Sequence, residues 1–276
     1  MIFVKNIVIL ANKNMIHKKL LVFIFTSLFG FHLANGQDSI SLQEKYPRNI
    51  SFTYGIGSFS VKDYYFSEQK YAGNMPFISL EWMQPHDRYG YRMGFDFQKS
   101  NEIENYTMTA TVSQFSFYQD FLYTIGKFRL FKNDVYTYVG PSVDYFFYYN
   151  QQNFSGSGIY FDFSFVTMIS AAVDLYLNMP LGSRWFIECN LRFSILSLGL
   201  QMPEVMLDEG EEPGTTVKLL TPFNGLKTSF DIGGGFMITK WLSFSLAYRG
   251  AFSNIIIRER VSAASDNLIG TIAFHF

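Results

Sequence analysis

From Tyr89 onward the odd positions Tyr89, Tyr91, Met93, Phe95 and Phe97 are apolar, and Gly90, Arg92, Gly94, Asp96 and Gln98 fall between them. Side chains of a β-strand point to opposite faces in turn, so this segment has one greasy face and one polar face. The code recurs along the chain. Trp185, Ile187, Cys189, Leu191, Phe193 and Ile195 alternate with Glu188, Asn190, Arg192 and Ser194. Phe161, Phe163, Phe165, Ile169, Val173 and Leu175 alternate with Asp162, Ser164, Ser170 and Asp174. Leu226, Phe230, Ile232, Phe236 and Ile238 alternate with Lys227, Ser229, Asp231, Gly233 and Gly235. Leu242, Phe244, Leu246, Tyr248 and Phe252 alternate with Ser243, Ser245, Ala247 and Arg249. Helical spacing fits none of these runs; period two fits them all.

This pattern predicts ten strands, over Asn49–Phe59, Met75–Gln84, Tyr89–Lys99, Thr109–Leu130, Val135–Asn150, Gly158–Asn178, Arg184–Gln201, Asn224–Thr239, Trp241–Ile257 and Asn267–Phe276. Tight turns at 85–88, 131–134, 179–183 and Lys240 alternate with longer connections, the longest running from Met202 to Phe223. Short turns on one side and long loops on the other are the mark of a transmembrane barrel. A secreted two-sheet sandwich also alternates. Its strands would be nearer the usual five or six residues, and its apolar faces would need a partner sheet. Here several strands are far longer, the apolar face is aromatic throughout, and charges stand in mid-strand on the polar face. The expected fold class is therefore all-β: a transmembrane, antiparallel, up-and-down barrel of about ten strands, with long extracellular loops and short periplasmic turns.

The N-terminus reads differently. Lys13, Lys18 and Lys19 precede an apolar run from Leu20 to Leu33, and Ala34-Asn35-Gly36 follows. That order is a secretory signal, with a core too short to span a membrane. Cleavage is expected after Gly36, with Met15 an alternative start. The expected organisation is a signal at 1–36, a short periplasmic segment at 37–48 and a barrel at 49–276.

Composition narrows the function classes. Only 16% of the 276 residues are charged, 48% are hydrophobic and 19% aromatic, against about 25% charged in an ordinary soluble domain. The formal charge of −1 moves to about −5 once the four lysines of the signal are removed. A disordered chain and a nucleic-acid partner are both disfavoured by this balance. One cysteine, Cys189, permits neither a disulfide framework nor a thiolate metal cluster, and its phase turns it toward lipid.

Trp82, Trp185 and Trp241 each lie within a few residues of a tight turn, so all three fall at one end, as an aromatic girdle would. The chain ends Ile272-Ala273-Phe274-His275-Phe276, with Ile272, Phe274 and Phe276 on one face. This ending resembles the assembly signal of bacterial outer-membrane barrels. With the export signal and the aromatic strands, the chain resembles the small outer-membrane β-barrel proteins common in Bacteroidota. The resemblance implies residence in the bacterial outer membrane, contact with its lipid and lipopolysaccharide, and insertion by the barrel-assembly machinery. It implies no activity, no cofactor and no metal.

By phase, the inward charges are Glu81, Arg92, Asp96, Asp120, Asp144, Asp162, Asp174, Glu188, Arg192, Lys227, Asp231 and Arg249. Such charges either pair into an internal network or line a narrow cation-preferring pore. Eight strands leave an interior that side chains fill, so ten favour a narrow or filled lumen. Barrel enzymes of the omptin, lipid A-modifying and phospholipase types depend on histidine. The expected mature chain has only His86, in a periplasmic turn, and His275, beside the terminus. A surface hydrolase is thus the third reading. Glu204, Asp208, Glu209, Glu211 and Glu212 crowd the longest loop without a calcium-loop spacing. Gly233-Gly234-Gly235 precedes no helix and marks a bend or close packing rather than a phosphate loop. The expected role is structural or interaction-based, through the extracellular loops or as an accessory to an envelope or secretion complex with a protein partner.

Overall fold

In the computed structural model the described residues are 48–64, 69–85, 88–104, 109–131, 133–153, 163–203 and 216–276. The expected signal at 1–36, His86, Asp162 and the acidic run from Glu204 to Glu212 lie outside them. The described residues form thirteen strands: β1 (Asn49–Asp63), β2 (Tyr71–Asn74), β3 (Phe77–Pro85), β4 (Tyr89–Lys99), β5 (Ile103–Glu104), β6 (Thr109–Leu130), β7 (Asn133–Asn153), β8 (Phe163–Leu181), β9 (Trp185–Pro203), β10 (Thr216–Leu220), β11 (Gly225–Thr239), β12 (Leu242–Ile256) and β13 (Arg260–His275). Ten of them close a ring in the order β1, β3, β4, β6, β7, β8, β9, β11, β12, β13. β13 pairs back to β1 from Asn49 opposite His275 to Asp63 opposite Val261. Every pairing is antiparallel, and β2, β5 and β10 extend the margin at the loop end.

Following partners once around the ring displaces the register by about twelve residues. With ten strands that shear corresponds to a tilt of about 40°. At this tilt 9–11 residues cross the apolar layer, so the longest strands rise beyond it.

The two faces then sort by solvent. Ile50, Phe52, Tyr54 and Ile56 of β1 point outward and are exposed, as are Phe95, Phe97, Ile232, Leu246 and Leu268. Ser51, Thr53, Ser79, Arg92, Asp120 and Asp174 point inward and are buried. Apolar side chains outside and polar ones inside suit a barrel surrounded by hydrocarbon, whose closed ring leaves no unpaired edge in the lipid.

Toward the loop end the code inverts. On β1 the inward residues become Phe59 and Val61, both buried, while Ser58, Ser60 and Lys62 turn outward. Tyr71, Met75, Ile103, Tyr148, Met168, Leu220, Ile255 and Ile257 join them in one buried apolar cluster. There the wall stands clear of the belt, and the inside-apolar rule of water-soluble proteins returns. This inversion accounts for a boundary that the sequence pattern misplaces. β13 begins at Arg260 rather than Asn267, because Val261 to Asp266 is small on both faces and shows little contrast. The β12–β13 connection is consequently short, at the loop end. β2, β5 and β10 likewise fall in stretches read as loops.

Three register shifts interrupt the ladders of the described residues, one of them between Met237 and Thr239 of β11. Ala171 pairs with Leu196 and Ala172 with Ser194, so Ile195 is the extra residue. Ile195 and Leu196 both face out, leaving Ser194 and Ser197 both inward. Another bulge at Ile125 separates Thr124, opposite Tyr138, from Gly126, opposite Thr137.

Candidate functional site in the lumen

The inward charges of β3, β4, β6, β7, β8, β9, β11 and β12 meet halfway along the barrel. Arg92 of β4 is central. Its Nε donates to Asp120 Oδ2 at 2.8 Å, its Nη2 donates to Asp174, and Glu81 Oε2 lies 3.8 Å from Nε. Arg192 of β9 pairs with the same two carboxylates, donating from Nη2 to Asp120 Oδ2 at 2.6 Å and forming an ion pair with Asp174 Oδ2 at 3.1 Å. Two guanidiniums and two carboxylates therefore form one square, and both aspartate side chains are wholly shielded from solvent. Positions far apart in sequence meet because β4, β6, β8 and β9 place their inward residues at one level.

Tyr118 of β6 packs against the square on its loop-end side. Its ring lies 3.7 Å from the Arg192 guanidinium carbon, and its hydroxyl donates to Glu81 Oε2 at 2.8 Å. Glu188 accepts from Tyr176 Oη at 2.7 Å and from Asn178 Nδ2 at 3.1 Å. On the far wall Arg249 grips Asp231 with two hydrogen bonds, 2.6 Å from Nε and 2.7 Å from Nη2, and reaches Asp96 at 3.5 Å. Lys227 donates to Asp144 Oδ2 at 2.6 Å and to Ser116 Oγ at 2.9 Å, over the Phe146 ring. The structure thus brings together eleven of the twelve inward charges expected from the sequence, the exception being Asp162, outside the described residues. They form a network of neighbouring ion pairs, Arg92 and Arg192 with Asp120 and Asp174, Arg249 with Asp231 and Asp96, and Lys227 with Asp144, with acids in excess.

Cavities flank this network. One lies beneath the apolar cluster, between Asp96, Gln98, Asp144 and Lys227; the other reaches the turn end at Asn49, Ser243 and His275. They share Asn190, Asp231 and Arg249, so the Asp231–Arg249 pair divides them. Among the described residues, Oδ1 of Asp96 and of Asp144 and Oε1 of Gln98 accept from no protein donor; buried acceptors of this kind need water.

At the loop end the tip of β12–β13 folds over the lumen. Backbone N–H groups of Arg258 and Glu259 donate to Gln201 Oε1 at 2.9 and 3.1 Å, and Lys218 Nζ donates to the carbonyls of Ile256 and Ile257. This latch holds Ile257 against Leu220 inside the cap. Asp63 is a lumenal charge that the sequence pattern passes over, since its strand was expected to end at Phe59. It accepts from Tyr148, Asn150 and Ser164 at the loop end. Its odd-number phase with Phe59 and Val61 was the available signal. Tyr118 is also missed, because an aromatic residue on a strand reads as lipid-facing.

The other expected sites fall on the exterior. Trp185 and Trp241 are exposed and Trp82 is half-buried, all at the turn end. Trp82 meets Tyr91 edge-on at 5.6 Å, and Trp185 meets Phe236 at 4.7 Å. Ile272, Phe274 and Phe276 are exposed on one outward face. Cys189 opposes Ile232 and Leu177, both lipid-facing. In the glycine run, a Cβ on Gly235 would sit 2.2 Å from the Phe186 ring and one on Gly233 2.3 Å from Ala247 Cβ, so close packing is what the run serves. His275 Nε2 lies 2.8 Å from Ser243 Oγ at the turn end. Among the described residues no group of three or more His, Cys, Asp or Glu side chains is placed to hold a metal ion.

No protein-family model and no curated protein matches the chain. Among solved structures it is similar to the outer membrane protease OmpT from Escherichia coli, at 7% identity over 86% of this chain and 98% of that one, with a TM-score of 0.50. It is also similar to the beta domain of the Bordetella autotransporter BrkA (10% identity, 83% of this chain and 99% of that one covered, TM-score 0.47). A third is the translocator domain of the autotransporter NalP from Neisseria meningitidis (9% identity, 96% and 98% covered, TM-score 0.46). At 7% identity the likeness to OmpT is one of fold: the chain folds as an outer-membrane β-barrel.

Proposed function

We propose that this protein works in the outer membrane as a sealed barrel with a structural or interaction role, through its loop end or as an accessory subunit of an envelope or secretion complex. In this reading the turn end faces the periplasm and the loop end the exterior, and the ending on Ile272, Phe274 and Phe276 serves assembly, as in the small barrels of Bacteroidota. The observation that carries the reading is the apolar cap. Phe59, Tyr71, Met75, Tyr148, Leu220 and Ile257 belong to one buried apolar cluster at the loop end, and a packed apolar layer is a high barrier to ions. Below it each cation is bound to at least one carboxylate, as a network that fills space and fixes register requires.

Single-channel recording in planar bilayers tests this. A sealed barrel gives no stepwise currents; clear unitary steps abolished by Asp96→Asn or Asp231→Asn would establish the narrow-pore reading instead. The hydrolase reading has less support, because His275 is placed at the turn end.

A further inference from the structure

On the lipid-facing side of β6 the outward residues run Tyr123, Phe121, Gln119, Phe117 and Phe115. Gln119 is the middle one. Its neighbours across the sheet are Met93 of β4 and Val143 of β7, themselves outward and apolar. The belt's lower margin is marked by Trp82, Trp185 and Trp241, and its upper margin by Ser58, Lys99 and Asp266. Between them Gln119 is the one carboxamide or charged side chain facing out among the described residues. Thr228, also outward, is satisfied, since its Oγ1 donates to the Arg192 carbonyl at 3.0 Å. The Gln119 amide has no such partner among the described residues.

A polar group facing hydrocarbon is costly and is ordinarily matched by a partner. Gln119 stands near the centre of a belt about 25 Å tall, too deep for its short side chain to reach either headgroup layer. Acyl chains offer no hydrogen bond. A primary amide is self-complementary, carrying one acceptor and two donors, so two copies related by a two-fold axis can exchange N–H···O bonds. The rings around it, Phe95 beside Phe117 at 4.8 Å and Tyr91 beside Phe121 at 5.2 Å, form an aromatic surface on which a second barrel can seat. We propose that the chain forms a two-fold homodimer in the membrane through the β4–β6–β7 face, with the two Gln119 amides paired at its centre.

The test uses the purified full-length barrel in lipid vesicles, in a Cys189→Ser background. Val143→Cys puts a thiol beside Gln119, and Leu246→Cys puts one on the opposite wall. A short bis-methanethiosulfonate is expected to give a dimer at position 143 and little at 246. Gln119→Leu is expected to weaken dimerisation about three- to twenty-fold, the range measured for polar pairs within membranes, while the folded gel band still shifts on heating. If Gln119→Leu yields no folded band, Gln119→Met serves in its place. Equal cross-linking at the two positions, a dimer insensitive to loss of the amide, or a product of another mass from native membranes would each overturn the proposal. So would a monomer mass by sedimentation in the same lipid.

Discussion

Tyr118 lies across Gly94: a Cβ at position 94 would stand 2.3 Å from both Cζ and Oη of the ring. The two residues sit opposite one another on β4 and β6, and the missing side chain makes the space in which the ring packs. That placement lets one aromatic residue both stack on Arg192 and donate to Glu81. Gly94→Ala is expected to push the ring aside and destabilise the barrel by about 1–3 kcal/mol, the usual cost of overpacking. Tyr118→Phe keeps the stack and loses only the hydroxyl, and is expected to cost about 1–2 kcal/mol. Urea unfolding in lipid vesicles, followed by tryptophan fluorescence, measures both. An unfolding midpoint unchanged in Gly94→Ala would contradict the packing argument.

Arg92→Met is expected to be among the most damaging single changes. It leaves Asp120 and Asp174, both fully buried, with Arg192 as their remaining cation. Removing one partner of a buried ion pair costs about 3–5 kcal/mol, because the surviving charge is stranded. Adding Asp174→Asn removes one stranded charge and is expected to recover part of the loss. The temperature at which the folded gel band disappears reads the series, and the double variant should lie between the wild type and Arg92→Met.

The cap can be probed without touching any charge. Leu220→Ala and Ile257→Ala each delete buried methyl groups from the apolar cluster. Each is expected to cost about 2–5 kcal/mol. The two side chains pack around the same backbone, since a Cβ on Gly199 would meet Ile257 Cδ1 at 2.6 Å and Leu220 Cδ1 at 2.8 Å. Their combined effect should therefore depart from the sum. A double-mutant cycle on unfolding free energies decides the point; strict additivity would mean that they do not share a site.

Three single-tryptophan variants report the depth of the girdle. With the other two tryptophans replaced by Phe, Trp82, Trp185 and Trp241 should each be quenched most by lipids brominated near the headgroup and least by those brominated at the chain end. The expectation follows from the interfacial preference of indole and from their common place at the turn end. One tryptophan with the opposite depth profile would break the girdle.

Much of this barrel is legible in its sequence, and the reason is the belt. Where a wall has lipid on one side and a polar lumen on the other, each strand must alternate strongly. Tyr89–Lys99 and Thr109–Leu130 can be bounded to the residue for that reason. The same contrast assigns Arg92, Asp120, Asp174 and Arg249 to the inside. Where the contrast fails, so does the reading. At the loop end Val261 to Asp266 is small on both faces, and the start of β13 is lost. The same inversion conceals Asp63, and an inward aromatic such as Tyr118 looks like a lipid anchor.

The sequence by itself determines the fold class, the strand directions and, within the belt, which charges face inward, because a two-residue period is a local property of the chain. Only the tertiary structure decides which of those charges meet. Arg92 and Asp174 are 82 positions apart and lie on strands that do not pair, so their contact depends on tilt, shear and the closure of β13 on β1. Closure also decides that the loop end holds an apolar cluster: Phe59, Leu220 and Ile257 come from three separate parts of the wall and are gathered into one buried group only by the ring. Alternation records which side of the wall a residue occupies, and carries no information about what stands across the lumen.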